Sequence, residues 1–412
     1  MMNSMQWANA LSTRPSLEAA IEEVVTEAQA QLQTDADLGL VFISAAFASE
    51  YTRVMPLLRK HLSVPALVGC SGGGVVGMSG GQAEEIEEEA AVSLTLAHLP
   101  DVQVQTFHID TEHLPDLDSP PADWIELVGV DPQDNPQFIL LSDPASSGIN
   151  ELLQGLDFAY PDAVKVGGMA GMNPMTGYGG LFLDAERLRG GTVGVALMGN
   201  IVLETIVAQG CRPIGQPYRV AEAERNILTQ LEEQSQSDSM TCGLTQTPLE
   251  VLQNLIQTLD EADRQLAQRA LFVGVAQSAF KQNLEQGDFL IRNLLGVDPR
   301  TGAIAIGDRI RVGQRIQFHL RDAQASEADL RSLLIRYQSQ RKMSSPIGAL
   351  MFACLGRGEG LYQQPNFDSH LFNQYVPVPI SGFFCSGEIG PVGDTTFLHG
   401  YTSVFGICRP KA

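Results

Sequence analysis

The sequence predicts an α/β protein: two domains of mixed β-sheet with flanking helices, built on a repeated strand–helix–strand–glycine-turn unit. Three observations predict it. Short apolar strands alternate with stretches of helical periodicity along the chain. A unit of the same form recurs from Val41 to Gly69, Ile139 to Gly167 and Leu350 to Gly382, spaced 28, 28 and 32 residues. Glycine, 40 of 412 residues, gathers where those units end. A spacing of that length fits one crossover between parallel strands, which is right-handed in nearly all known cases.

The elements follow in order. Residues 1–37 are read as a helical extension. Its helix opens at Pro15 and Ser16 and places Leu17, Ala20, Ile21, Val24, Val25, Ala28 and Leu32 on one face. A first domain spans 38–235. It holds strands at 38–45 and 64–69 around a helix at 50–62, an acidic run at 84–89 read as a solvated loop, and strands at 91–99 and 102–109. After a Pro-rich connector at 115–121 come a strand at 138–142, a helix at 147–159, a strand at 164–167, and strands at 178–183, 192–198 and 201–209. The polar stretch 230–246 buries little, so a linker is placed at 236–250. A second domain, 251–412, begins within a helix at 248–266. It has a strand at 271–276, a helix capped by Ser326 and Asp329, strands at 348–354 and 378–384, and a helix at 367–375 between them.

Composition excludes several functions. With 26 basic and 48 acidic residues the formal charge is −22, which disfavours nucleic acid and anionic membrane surfaces as partners. At 44% hydrophobic and 18% charged the chain is globular. Its most apolar window, 191–208, is broken by Asn200 and Glu204 and falls short of the roughly 20 residues of a membrane span. The first twenty residues lack the basic and apolar regions of a signal peptide. Six scattered cysteines form no CxxC, so the cytoplasm is the expected compartment and no cofactor or metal is expected.

Gly69-Cys70-Ser71-Gly72-Gly73 fits GxSxG, but the glycines after Ser71 exclude the helix that a nucleophile elbow needs. The same missing helix argues against dinucleotide binding at Gly72–Gly77. Glycines at strand ends do let backbone N–H groups face a ligand, and α/β sheets bind ligands beyond their strand ends. An arginine beside glycines suits a carboxylate, as Arg357 does in the turn 356–360; Arg292 with Asn293, in the apolar strand 289–295, is the other charged candidate. Glu388 is then the acceptor for an ammonium, and the three together fit a zwitterion; alternatively Arg292 and Glu388 pair with each other.

The strings 348–358, containing Cys354-Leu355-Gly356-Arg357-Gly358, and 379–391, containing Phe384-Cys385-Ser386-Gly387-Glu388-Ile389-Gly390-Pro391, resemble the C-terminal region of the FIST family (F-box and intracellular signal transduction proteins). So does 288–299, with Arg292-Asn293; the Gly69–Gly74 string resembles the N-terminal FIST region. The resemblance spans roughly residues 38–400. It implies a cytoplasmic sensory module that binds small ligands such as amino acids. The sequence shows no output domain, so a signalling partner in trans is expected. The candidate ligand-binding residues are Gly69, Cys70, Ser71, Gly72, Gly168 and Gly171 from the first domain, with Arg292, Asn293, Arg357, Cys385, Gly387 and Glu388 from the second. The alternatives are an enzyme using Cys385 or Cys70 with His399, and an acidic interaction scaffold.

Overall fold

The computed structural model describes residues 4–171, 179–233, 245–277, 281, 283–340 and 344–411. The chain forms two compact units, Met1–Val207 with Arg331–Ala412, and Ala208–Leu330. The sequence divides into halves at 236–250, whereas compactness gathers the C-terminal segment with the N-terminal one.

The first unit is one motif used three times. The first copy runs β1 (Gln6–Ser12), α1 (Leu17–Leu32), β2 (Leu38–Ser44), α2 (Tyr51–His61), β3 (Ala66–Gly72), β4 (Gly74–Ser79), β5 (Gln82–Glu87) and β6 (Val92–His98). The second repeats that order as β7 (Val102–Ile109), α3 (Pro121–Val128), β8 (Gln137–Ser142), α4 (Ile149–Ala159), β9 (Lys165–Met169), β10 (Leu181–Leu183), β11 (Glu186–Leu188) and β12 (Thr192–Gly199). The third opens with β13 (Val202–Gln209), and there the second unit is inserted in the chain.

The inserted unit comprises β14 (Cys211–Glu224), β15 (Ile227–Glu233), β16 (Thr245–Gln246), α5 (Pro248–Thr258), α6 (Glu261–Ala267), β17 (Leu271–Ala276), β18 (Phe289–Val297), β19 (Ile304–Ile306) and β20 (Arg315–Arg321). These strands form one sheet in the order β14-β20-β17-β18-β19-β15-β16, on which α5 buries Val251, Leu252 and Leu255. The third copy then resumes with α7 (Ala323–Ser339), β21 (Gly348–Cys354), the short α8 (Glu359–Tyr362), α9 (Phe367–Tyr375), β22 (Ile380–Cys385), β23 (Gly387–Val392), β24 (Thr395–His399) and β25 (Thr402–Arg409).

Three six-stranded sheets result, with equivalent strands in equivalent places: β1-β6-β2-β3-β10-β11, β7-β12-β8-β9-β23-β24 and β13-β25-β21-β22-β4-β5. The pairs β2–β3, β8–β9 and β21–β22 are parallel, as the repeated crossover predicts. Each copy's hairpin leaves its own sheet. The first copy's β4–β5 extends the third sheet, the third copy's β23–β24 the second, and the second copy's β10–β11 the first. This cyclic exchange makes each sheet complete only when the others are present. Between the sheets lies a core that includes Phe42, Val68, Ile139, Val166, Leu350, Phe352 and Phe383. Helices cover the outer faces: α1 and α2 on the first sheet, α3 and α4 on the second, and α9 on the third, where Phe372 stacks on Phe405 at 4.7 Å.

Several local expectations are corrected. Gln6–Ser12 is an edge strand paired with β6, not part of a helical extension, because six of its seven residues are buried without the alternation that marks a half-buried strand. The acidic run 84–89 is not a solvated loop: β5 runs through it and Glu85 is buried. The helix expected at 248–266 is two helices, separated where Asp260 caps Asp263 N–H. The helix near 326 starts earlier, with Asp322 accepting from Gln324 and Ala325 N–H, while Ser326 donates instead to carbonyls. Of the expected linker, 236–244 lies outside the described residues, and Pro248 already begins α5. Among the described residues no helix is long and apolar enough to cross a membrane.

Candidate functional site

The three copies meet where β3, β9 and β22 end. Gly69, Gly167 and Gly382 stand opposite Val41, Leu140 and Met351 in the parallel pairs. A Cβ at those glycines would lie 2.0, 1.8 and 1.8 Å from the partner's carbonyl oxygen. Two residues further on, a carbonyl of each copy accepts a hydrogen bond from another copy. Gly73 N–H donates to Phe384 at 3.0 Å, Ser386 N–H to Met169 at 3.0 Å, and Gly171 N–H to Ser71 at 2.8 Å. The bonds run cyclically, as the hairpins do.

Most of the sequence-predicted residues converge here. Gly69 to Gly72 form the end of β3, strand rather than turn. Ser71 is fully engaged, its Oγ donating to Gly171 O at 3.0 Å and accepting from Gly180 N–H at 2.8 Å. A Cβ on Gly168 would sit 2.4 Å from Cys385 Sγ, and one on Gly171 2.3 Å from Gly73 N. Gly387 and Glu388 pair with Met169 and Gly168. Arg357 follows β21 in a turn, its N–H donating to Cys354 O. Arg292 and Asn293 lie on β18 of the inserted unit, where Arg292 Nε donates to Asp308 at 2.6 Å.

The charged groups at the junction are buried. Glu388 is wholly inaccessible; its Oε2 accepts from Thr402 N–H at 3.1 Å and its Oε1 has no partner. Burial pushes its carboxyl well above the usual range, against the opposing effects of the Thr402 N–H, Arg357 and the Cys354 thiol, which favours its neutral form. Arg357, 1% exposed, is held by Asp368 through Nε at 2.6 Å and Nη2 at 2.9 Å, with Tyr362 Oη at 2.6 Å from Nη2. Its Nη1 has no partner. Glu85 from the first copy's hairpin accepts from Ser369 N–H at 2.7 Å, and its Oε2 is also unpartnered. Burial first, then the Asp368 charge, pushes it up to about 8.

Asp368 and Glu85 were missed by sequence reasoning. Nothing local marks them: Asp368 reads as an ordinary acid in a helix's first turn, and Glu85 as one of five glutamates in a run. Asp368 meets Arg357 through the turn between β21 and α9 of its own copy, and Glu85 reaches Ser369 only by packing between copies distant in sequence.

The thiols answer the enzyme alternative physically. Cys70, Cys354 and Cys385 are free and buried, and desolvation drives the Cys70 and Cys385 thiols well above their ordinary value, the opposite of an activated nucleophile. His399 is buried across from Glu388, with Nε2 at 3.0 Å from Gly390 O. In the folded protein Cys70 and Cys385 are therefore expected to resist iodoacetamide at pH 7.5 and to react only on unfolding. Rapid native-state labelling of either, read by mass spectrometry, would revive the thiol chemistry. Among the described residues no group of three or more His, Cys, Asp or Glu is placed to hold a metal.

A three-sheet α/β unit with glycine-mediated strand ends, carrying an inserted antiparallel sheet, is the class that fold and junction define. The chain belongs to the FIST family: the FIST N domain matches residues 37–234 and the FIST C domain residues 248–391. An uncharacterized protein of Mycobacterium tuberculosis is 32% identical over 395 residues, 95% of this chain and 97% of its own length. One from Mycobacterium bovis is 31% identical over 393 residues, 95% of each chain. An F-box/LRR-repeat protein of Arabidopsis thaliana is 31% identical over 115 residues, 24% of this chain and 22% of that one. Among solved structures, a cyanuric acid hydrolase from A. caulinodans matches over 99% of this chain at 9% identity, with a TM-score of 0.34.

Proposed function

We propose that this FIST protein binds a small polar ligand, of the amino-acid class, at the junction of its three copies, and acts as a cytoplasmic sensor whose effect passes to a partner protein. The observation that supports it most is the pair of unsatisfied buried groups there, Arg357 Nη1 and Glu388 Oε1. A buried polar atom without a partner costs about 1–3 kcal/mol, and a bound zwitterion relieves two such costs at once: its carboxylate takes the N–H and its ammonium the carboxyl oxygen. A ligand meeting these groups shifts the conformational equilibrium by its differential contacts.

The raised Glu388 carboxyl gives this reading a signature. An ammonium placed there favours the ionised carboxylate, so binding is expected to release a proton and to tighten as pH rises. Thermal melts against the amino acids are the test. A ligand at about 100 times its Kd adds roughly 2.7 kcal/mol. One stereochemical class is expected to raise the Tm of the wild type and not of Glu388→Gln, and calorimetry in buffers of different ionisation enthalpy should show proton release. A panel that shifts neither protein defeats the proposal and favours the acidic scaffold.

A further inference from the structure

The charge of this chain is unevenly shared. Residues 208–330 hold 12 basic and 16 acidic residues, a net charge of −4, against 14 and 32, a net charge of −18, in the rest. Within the inserted unit most arginines near the sheet have partners: Arg212 pairs with Asp322, Arg219 with Glu232, and Arg292 with Asp308. Arg225, Arg309 and Arg311 are exposed, and none has an ion-pair or side-chain hydrogen-bond partner among the described residues.

Those three lie together. Ile310 N–H donates to Arg225 O at 2.7 Å and Gly313 N–H to Val220 O at 2.8 Å, which lays the 309–313 loop along the β14–β15 hairpin. Beside the arginines stand aliphatic side chains in solvent. Ile227, which follows the Arg225 turn, is 40% exposed; Leu295 and Val312 are each 61% exposed. Ile227 and Gly296, the neighbour of Leu295, pair with Ala305 from its two sides, so the aliphatics flank one short strand. Of the nearby carboxylates, Asp308 is held by Arg292, and Glu224 stands exposed across from Ile227.

We infer that this end of the inserted unit, formed by Arg225, Arg309 and Arg311 with Ile227, Leu295 and Val312, is a docking surface for a protein segment that alternates carboxylates with apolar side chains. Unpaired guanidinium groups in a strongly acidic chain attract carboxylates, and the aliphatics between them gain only if the partner brings apolar groups to cover them. A phosphate backbone meets the arginines but leaves Leu295 and Val312 wet, and a long polyanion is repelled by the charge elsewhere on the chain.

The test uses the full chain and a fluorescent peptide of alternating Glu and Leu, with fluorescence anisotropy in about 50 and 150 mM salt. Saturable binding is expected that weakens with salt, falls at least tenfold in Arg309→Glu/Arg311→Glu and in Arg225→Glu, and falls comparably in Leu295→Asp/Val312→Asp, whose arginines are intact. Melting curves matching the wild type show that these surface variants fold. The inference is overturned if no peptide binds, if the charge reversals leave binding unchanged, or if polyglutamate of equal charge binds as tightly. Stronger binding of an oligonucleotide or of phosphatidylserine vesicles than of the peptide overturns it equally, by assigning the arginines to a nucleic-acid or membrane surface.

Discussion

Gly382→Ala is expected to unfold the first unit, at a cost above about 4 kcal/mol, a large share of the roughly 5–15 kcal/mol that holds a protein folded. The new Cβ would stand 1.8 Å from Met351 O and 2.7 Å from its carbonyl carbon. Both atoms are backbone, so no rotamer change relieves the clash. Relief means parting β21 from β22, whose register sets Met351 against Gly382. β22 also pairs with β4, and its neighbour β23 pairs with β9, so the damage reaches both other copies. Gly167→Ala meets the same contact with Leu140 O at 1.8 Å, and the same loss is expected there. Gly287→Ala, with nothing within 4 Å of its added Cβ, serves as the control and should fall within about 0.5 kcal/mol of wild type. Urea unfolding of the three variants decides it; a Gly382→Ala midpoint near the control's would show that the strands separate without cost.

These glycines also show what the sequence makes legible. The spacing of Gly69, Gly167 and Gly382 from the strands before them identifies the repeat and its parallel pairing, because both are local features of 28 to 32 residues. Their purpose does not follow from the spacing. Gly69 reads as a ligand-facing residue and the other two as strand-end glycines, whereas in the structure each fills the close approach of two strands. The cyclic exchange of hairpins is invisible locally, since nothing in Gly74–Ser79 specifies β22 of a segment 300 residues away as its neighbour. The inserted unit hides where the third copy begins, by parting β13 from α7. At the junction, Cys385, Gly387 and Glu388 are legible from the family string, while Asp368 becomes visible only once α9 folds back on the Arg357 turn, and Glu85 only when copies one and three are packed together.

Glu85 makes that packing sensitive to pH, and Glu85→Gln is expected to remove much of the sensitivity. An exposed glutamate titrates near 4.5, and burial beside Asp368 pushes this one up to about 8. Between those values the unfolded chain has released the proton and the folded one has not, so stability is full below about pH 4.5 and falls as pH rises toward 8. At about 1.4 kcal/mol per unit, a window of that width reaches several kcal/mol by pH 9. Glutamine keeps the oxygen that accepts from Ser369 N–H and never ionises. The Tm of the wild type should therefore decline from pH 5 to pH 9 more steeply than that of Glu85→Gln. A residual slope remains in the variant because the Glu388 and Glu87 carboxyls are raised in the same direction by burial. Parallel curves would mean that Glu85 is already ionised where it stands. The consequence is local in the fold: Glu85 belongs to the β4–β5 hairpin, accepts from Ser369 N–H and donates its own N–H to Asn366 Oδ1 at 2.6 Å, so this residue joins the first copy's hairpin to the start of α9 in the third. Alkaline pH is then expected to loosen the exchanged hairpin before the rest of the unit, and amide exchange at Glu85 and Ser369 should rise first.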